Sequence, residues 1–266
     1  MCDIWESERG WQIIIENSGR ECVLVLVKAL PHAGERHGET VCCAGVTEAG
    51  EWRRQFPIHF RTLKEKFRRW QWIEYDWRKP RDDPRPESRR VQEDTIVAKR
   101  EMPERERVGF LDRVIVPSTD FAAENGQTLA LIRPSNVHFR HDRKQAQQIK
   151  RECEAYKSAA RQGTFFDKQL TALKPCPYAF RFDYQTEDGK SHRHVCDDWE
   201  TAAMFYNFAK RYGEARALSM METTFNHDYP SKGMALALGT HSRYPTTWLL
   251  VGVIRLDRVA QFGLGL

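Results

Sequence analysis

The apolar positions fall into short runs whose period changes along the chain. The run ECVLVLVKAL, Glu21 to Leu30, is β-branched and aliphatic and predicts a buried strand. Turn formers follow in PHAGERHG, then a second strand, TVCCAGV, and a tight turn, TEAGEW, so two strands and a Gly-bearing loop predict a hairpin. A short strand ends at Pro57, and Phe60, Leu63 and Phe67 take helical spacing over Phe60–Arg69. In WQWIEYDW, Trp70, Trp72, Glu74 and Asp76 alternate with Gln71, Ile73, Tyr75 and Trp77, the pattern of a strand with aromatics on both faces. The loop KPRDDPRPES leads to a strand over Ser88–Ala98, a helix near Glu104–Val116, a short helix DFAAEN capped by Ser118, and a closing strand, TLALIRP.

Beyond His141 the pattern becomes polar and basic, and a helix is expected near Arg143–Arg161. The stretch YAFRFDYQTEDGKSHRHVC then reads as two strands turning at Asp188-Gly189. In the next helix Trp199, Ala202, Ala203, Tyr206 and Ala209 share one face. Asp197 is its expected N-cap, with Glu200 at the third position, and Gly213 its stop. A second helix over Glu214–Phe225 and the strands MALALG and TTWLLVGVIRL complete the chain. The fold class is therefore α+β. An extension, 1–20, in which Ile13–Ile15 adds a short strand, precedes a small basic β-barrel of OB or PUA type over 21–140. A basic helical linker spans 141–174, and an α+β domain of two hairpins and two helices spans 175–266.

Composition narrows the setting. Of 266 residues, 41% are hydrophobic and 30% charged, enough for both a core and a solvated surface. No apolar run approaches the ~20 residues that span a bilayer. The start, MCDIWESERG, has no signal-peptide pattern, so a cytoplasmic place with no membrane partner is expected. Seven cysteines at irregular spacing read as reduced thiols. Charge is the more telling feature: residues 51–90 hold 13 Lys+Arg and 7 Asp+Glu, a local +6 in a chain of net +5.

The same window holds four of the eight tryptophans. Cations for phosphates and flat rings for bases are what a DNA or RNA binder needs. The expected contacts are Arg53, Arg54, Arg61, Lys64, Arg68, Arg69, Trp70 and Trp72, with Arg85 and Arg89 from the proline-bearing loop. Because Arg68 shares parity with Trp70 and Trp72, that face is expected to meet the ligand and Trp77 to line the barrel core. The alternative stays open that the tryptophans are core and the arginines a solvated rim.

Other chemistry is weaker. Cys176, His192, His194 and Cys196 could converge on a metal, but three of them alternate along one strand without a Cys-x-x-Cys pair, so no metal or other cofactor is expected. Asp183 with Asp188-Gly189-Lys190 has the layout of a metal-dependent nuclease, though the turn explains it better. Cys42 or Cys43 could pair with a histidine as a nucleophile, or simply pack. The loop Gly239-Thr240-His241-Ser242-Arg243-Tyr244 offers site material between two strands, or an ordinary turn.

The segments TVCCAGVTEAGEWRRQFPIHFRTL, FRRWQWIEYDWRKPRDDPRPES, LIRP and CDDWE resemble a widespread, largely uncharacterised family of bacterial proteins. In the first half, CAG…GEWRR with the later IRP is similar to dual OB-type domains suspected in phage-defence and DNA-modification systems. The resemblance implies such a setting, with other proteins of the same system as partners, and supplies no catalytic residues. The expected function is a nucleic-acid-binding accessory protein. The alternatives are an enzyme altering a nucleic acid or modified base in a crevice between the halves, and an adaptor for an acidic protein.

Overall fold

The computed structural model describes residues 17–30, 32–34, 38–59, 67–162 and 174–257. Seven strands come first: β1 (Ser18–Lys28), β2 (His32–Gly34), β3 (Gly38–Val46), β4 (Trp52–His59), β5 (Gln71–Arg78), β6 (Ser88–Val91) and β7 (Val97–Glu101). Neighbours run β1-β3-β4-β6-β5, and β5 pairs back onto β1 from Ser18↔Arg78 to Leu24↔Trp72, which closes an OB-like five-stranded barrel. The β4–β6 pairing is parallel and the others are antiparallel, while β2 and β7 add to the edges of β3 and β5.

The aliphatic run of β1 has a double role. Val23 and Val25 face into the barrel with Val41, Cys43, Ile58, Ile73, Tyr75, Trp77 and Val91. Leu24 and Leu26 face outward into a second core with Trp52, Trp72, Leu129, Leu131, Ala235 and Ile254. A strand buried on both faces has no polar positions to alternate, which is why the run is continuous.

After the barrel come α1 (Glu104–Leu111), α2 (Thr119–Glu124), β8 (Leu129–Ile132), β9 (Ser135–Arg143) and α3 (Ala146–Gln162). Then follow β10 (Tyr178–Gln185), β11 (Ser191–Val195), α4 (Trp199–Tyr212), α5 (Glu214–Thr223), a π-helical turn (Thr224–Asp228), α6 (Tyr229–Ser231), β12 (Met234–Thr240) and β13 (Trp248–Arg255). They form two three-stranded sheets, β11-β10-β9 and β13-β12-β8. A third core, including Phe139, Phe180, Phe182, Phe205 and Phe225, joins both sheets to the helices. The architecture is α+β, a closed barrel followed by hairpin sheets and helices.

Local signals behave as chemistry dictates. Ser118 Oγ accepts from Phe121 N at 3.2 Å and caps α2, and the β10–β11 turn holds Gly189 at φ 79°. Three expectations are corrected. The strand TLALIRP does not close the first half: β8 pairs with β12, and β9 pairs with β10, so the chain leaves the barrel well before residue 140. The strand over Ser88–Ala98 divides into β6 and β7 around a 3₁₀ turn, Glu93–Thr95. The N-cap of α4 is Asp198, whose carboxylate accepts from Glu200 N, because Asp197 uses its backbone to accept from Leu30 N and donate to Leu250 O. On α4, Trp199, Ala202, Ala203 and Tyr206 do share a side, which lines a cavity of about 840 Å³, and the buried residues of the helix are Thr201, Ala202 and Phe205. The strand expected at Ile13–Ile15 and most of the helix expected over Phe60–Arg69 lie outside the described residues.

Candidate nucleic-acid interface

The parallel pairing of β4 with β6 sets Phe56 opposite Arg90, and the β5–β6 pairing sets Arg90 opposite Arg78. Residues paired this way project from the same face of a sheet. An aromatic and two guanidinium groups thus stand side by side on the outer wall of the barrel, with Phe56 39% exposed and both arginines exposed. The β5–β6 loop adds exposed Lys79 and Arg81. Among the described residues, none of these four cations makes an ion pair. Beside them is a cleft of about 290 Å³, lined by Cys42, Arg54, Phe56, Asp82, Asp83, Arg85, Arg89, Arg90 and Ser242. Ser242 comes from the β12–β13 loop, so the cleft lies between the barrel and the C-terminal half.

The inner wall of the cleft is rigid because its charges are matched. Arg54 donates from both terminal nitrogens to Thr128, at 3.1 Å to its hydroxyl and 3.1 Å to its carbonyl. Glu87 accepts from the same residue's N–H and hydroxyl, each at 2.7 Å. Arg85 donates to Asp83 at 2.8 and 2.7 Å and to the Thr240 carbonyl at 2.7 Å, and Ser88 Oγ donates to Asp83 at 2.7 Å. Burial pushes the Asp83 carboxyl up, but the bonds from Arg85 and Ser88 outweigh it and hold the group below its ordinary range. Burial raises the Cys42 thiol, the reverse of what a nucleophilic cysteine needs.

The residues expected from sequence are dispersed. Arg54, Arg85 and Arg89 do line the cleft. Arg89 also stacks over Trp77 at 4.0 Å and lies 3.4 Å from Glu21. Arg53 is taken up by Glu21 at 2.8 Å and Glu51 at 2.6 Å. Arg69 donates to Asp198 at 2.9 Å and to the Val253 carbonyl at 2.7 Å, deep in the joint between the halves. Arg68 is exposed but precedes β5, at the end opposite Arg78 and roughly 20 Å or more along the strand. Arg61 and Lys64 lie outside the described residues.

The tryptophans require a correction. Trp70 and Trp72 share a face, as their parity predicts, but that face is covered: they are 8% and 4% exposed. Trp70, with φ 68°, carries the Arg107 guanidinium at 4.6 Å, and Trp72 meets Phe110 edge-on at 5.7 Å. Neither offers a ring to a base in this arrangement. Trp77 lines the barrel interior. Among the described residues the exposed rings include Phe56, Phe121, Tyr212 and, on the β12–β13 loop, Tyr244, 64% exposed and 5.1 Å from His241. The nearness of Arg78 and Arg90 to Phe56 is hidden in the sequence, because a loop of mixed charge reads as self-paired and only the strand register brings them together.

The other constellations are engaged elsewhere. His192 and His194 stack on Tyr184 at 5.4 and 5.7 Å, with His194 Nδ1 3.0 Å from the Tyr184 hydroxyl and His192 Nε2 3.0 Å from Thr186 Oγ1. Burial pushes the Cys176 thiol up to about 11. Among the described residues no group of three or more His, Cys, Asp or Glu could hold a metal ion. Asp183 accepts from Arg193 at 2.7 Å and Arg140 at 2.8 Å, while Lys190 pairs with Asp120 and Asp188. Cys43 is buried inside the barrel. Among the described residues no helix is long and apolar enough to cross a membrane.

Two family descriptions match adjacent stretches of the chain. Residues 19–113, the barrel with β7 and α1, match Domain of unknown function (DUF8758), and residues 116–264 match Domain of unknown function (DUF8757). No curated protein matches the chain.

Proposed function

Since the chain belongs to the family described as Domain of unknown function (DUF8757), a description that assigns no activity, we propose a function from the site itself: a nucleic-acid-binding accessory protein. The observation that carries this reading is the register that sets exposed Arg90 beside exposed Arg78, continued by Lys79 and Arg81, four cations with no ion pair among the described residues. Exposed cations with no carboxylate partner among the described residues can neutralise phosphates. The position of the cleft, lined from both the barrel and the β12–β13 loop, supports a strand running across the junction of the halves. The setting, an accessory role in DNA modification or phage defence beside other proteins of that system, rests on the resemblance of CAG…GEWRR to dual OB-type domains. A cytoplasmic place fits that setting.

An enzyme working in the same crevice is the second reading. It has the location in its favour but less chemistry, since the Cys42 thiol is raised and both Asp83 oxygens are occupied. Binding of a labelled oligonucleotide across a salt series tests the first reading. Each phosphate neutralised contributes roughly −0.7 to the log–log slope for a single strand and −0.9 for a duplex. A steep slope is expected. No binding at low salt, or a flat slope, overturns it.

A further inference from the structure

We infer that the cleft between the barrel and the β12–β13 loop receives the terminal phosphate of a nucleic-acid strand, a phosphate monoester held by Arg54 and Arg85. This names the chemical group taken at the interface proposed above and rests on that reading.

Two separate tethers set these arginines beside each other. Thr240 N donates to the Thr128 carbonyl at 2.9 Å. Arg54 Nη2 donates to that same carbonyl at 3.1 Å, and Arg85 Nη1 donates to the carbonyl of Thr240 at 2.7 Å. Both guanidinium groups therefore end on one hydrogen-bonded pair of residues. On the other side Ser88, opposite Arg54 in the β4–β6 register, donates through Oγ to Asp83, and Asp83 holds Arg85. Both arginines line the cleft.

Their charge is only partly answered. Asp83 is taken by Arg85 and Ser88. Arg54 is 5% exposed, and among the described residues no carboxylate lies within ion-pair distance of it, since Glu87 reaches it only through Thr128. Thr128 takes two of its five N–H groups, which leaves three. Burial lowers this guanidinium below its ordinary value, with the charge of Arg85 adding to that, so an anion brought to the pair would stabilise both. Arg90 adds a third cation to the lining against exposed Asp82, while Arg89 turns to Trp77 and Glu21.

Access then chooses the kind of phosphate. A phosphodiester inside a strand carries chain on two sides, and both must leave the cleft. At about 290 Å³ the cleft is at the small end of ligand pockets, and Arg54 is nearly covered, which suits a chain end better than a passing chain. A terminal phosphate has one ester bond and a charge of roughly −1.5 to −2 at pH 7. Guanidinium forks match its oxygens two by two. Arg78, Lys79 and Arg81 lie outside the lining, exposed, to meet the phosphates that follow.

Fluorescence anisotropy with the full chain at one low salt concentration tests this on internally labelled oligothymidylates. The plain strand has hydroxyls at both ends. It is compared with the same strand carrying a 5′-phosphate, with one carrying a 3′-phosphate, and with a plain strand one nucleotide longer. A terminal phosphate at one end or the other is expected to tighten binding on the order of ten-fold. The longer strand, which adds an internal phosphate, should gain far less. Thymidine monophosphate should compete only weakly; if it binds as tightly as the phosphorylated strand, the source is a free nucleotide and the strand-end assignment falls. Arg54→Gln should bring the phosphorylated and plain strands to one affinity. Because that buried change can unfold the chain, Ser242→Glu provides a second variant, setting a competing carboxylate at an exposed position of the cleft, and should cost the same gain. Melting curves check that both variants fold. A gain no larger than that of the longer strand, or one that survives in folded Ser242→Glu, overturns this inference and leaves the nucleic-acid reading standing. If no strand binds at low salt, both fall.

Discussion

Arg69 donates to Asp198 at 2.9 Å where the barrel meets the C-terminal half, and the carboxylate also accepts from Thr201 Oγ1 at 3.1 Å and Val253 N at 3.3 Å. Breaking one side of such a buried pair strands the other charge, at about 3–5 kcal/mol. Asp198→Asn keeps the shape and the cap of α4 but strands Arg69, and should destabilise by about that much in urea unfolding. Arg69→Met should behave differently with pH. Burial pushes the Asp198 carboxyl up, and without Arg69 only its hydrogen bonds, such as that from Val253 N, oppose that. A carboxyl raised in the folded state holds its proton there more tightly than when unfolded. The variant should therefore be most stable below the ordinary carboxylate range, about pH 4, and lose stability as pH rises through the raised value. A wild-type-like pH profile would show that the pair is not the buried contact drawn here.

Trp72→Ala and Trp77→Ala should both lower stability, by ~3–5 kcal/mol each, because one ring fills the core outside the barrel and the other the core inside it. Oligonucleotide affinity per folded molecule should change little in either. A Trp72→Ala protein that melts normally and loses binding would restore that ring to the interface.

Removing unmatched cations should change binding and not folding. Arg78→Gln with Arg90→Gln is expected to reduce the salt slope by roughly 1.4 to 1.8, about two phosphate contacts, with little change in melting. Arg53→Gln should do the opposite, since its guanidinium is held by Glu21 and Glu51. Salt titrations and melting curves on the same samples decide between them.

His194 offers a second pH dependence. Burial, with His192 beside it, lowers its imidazole below the ordinary value. The unfolded chain then takes up the proton first. Its contribution to stability is present above about pH 6.5 and is lost as pH falls from there through the lowered folded value. His194→Gln should flatten the part of the melting-temperature profile between about pH 7.5 and 5. An unchanged profile removes His194 as its source.

Much of the fold is readable locally. The β1 run, the Ser118 cap and the Asp188-Gly189 turn each carry their cause within a few residues. The faces of β5 are readable too: Trp70 and Trp72 part from Trp77 as a period of two requires. What covers a face is not local. The surface over Trp72 is closed by a core that includes Ala235 and Ile254, remote in sequence. The same limit hides the site. Arg53, Arg69 and Arg85 count as free cations until Glu21, Asp198 and Asp83 are brought to them. Phe56 gains its companions only when β6 lies parallel to β4.

The outward-facing leucines of β1 also set a timing problem for the ribosome. Leu24, Leu26, Trp52 and Trp72 are all made before β7 ends at Glu101, yet their cover includes Ala235, Ala237 and Ile254. At ~5–20 residues per second, the nascent barrel waits on the order of ten seconds with that wall bare. A chaperone that shields apolar surface is the natural companion of that interval. Translation stopped after residue 113, at the limit of the first matched stretch, would never end the wait, and the product should aggregate rather than stand as a smaller protein.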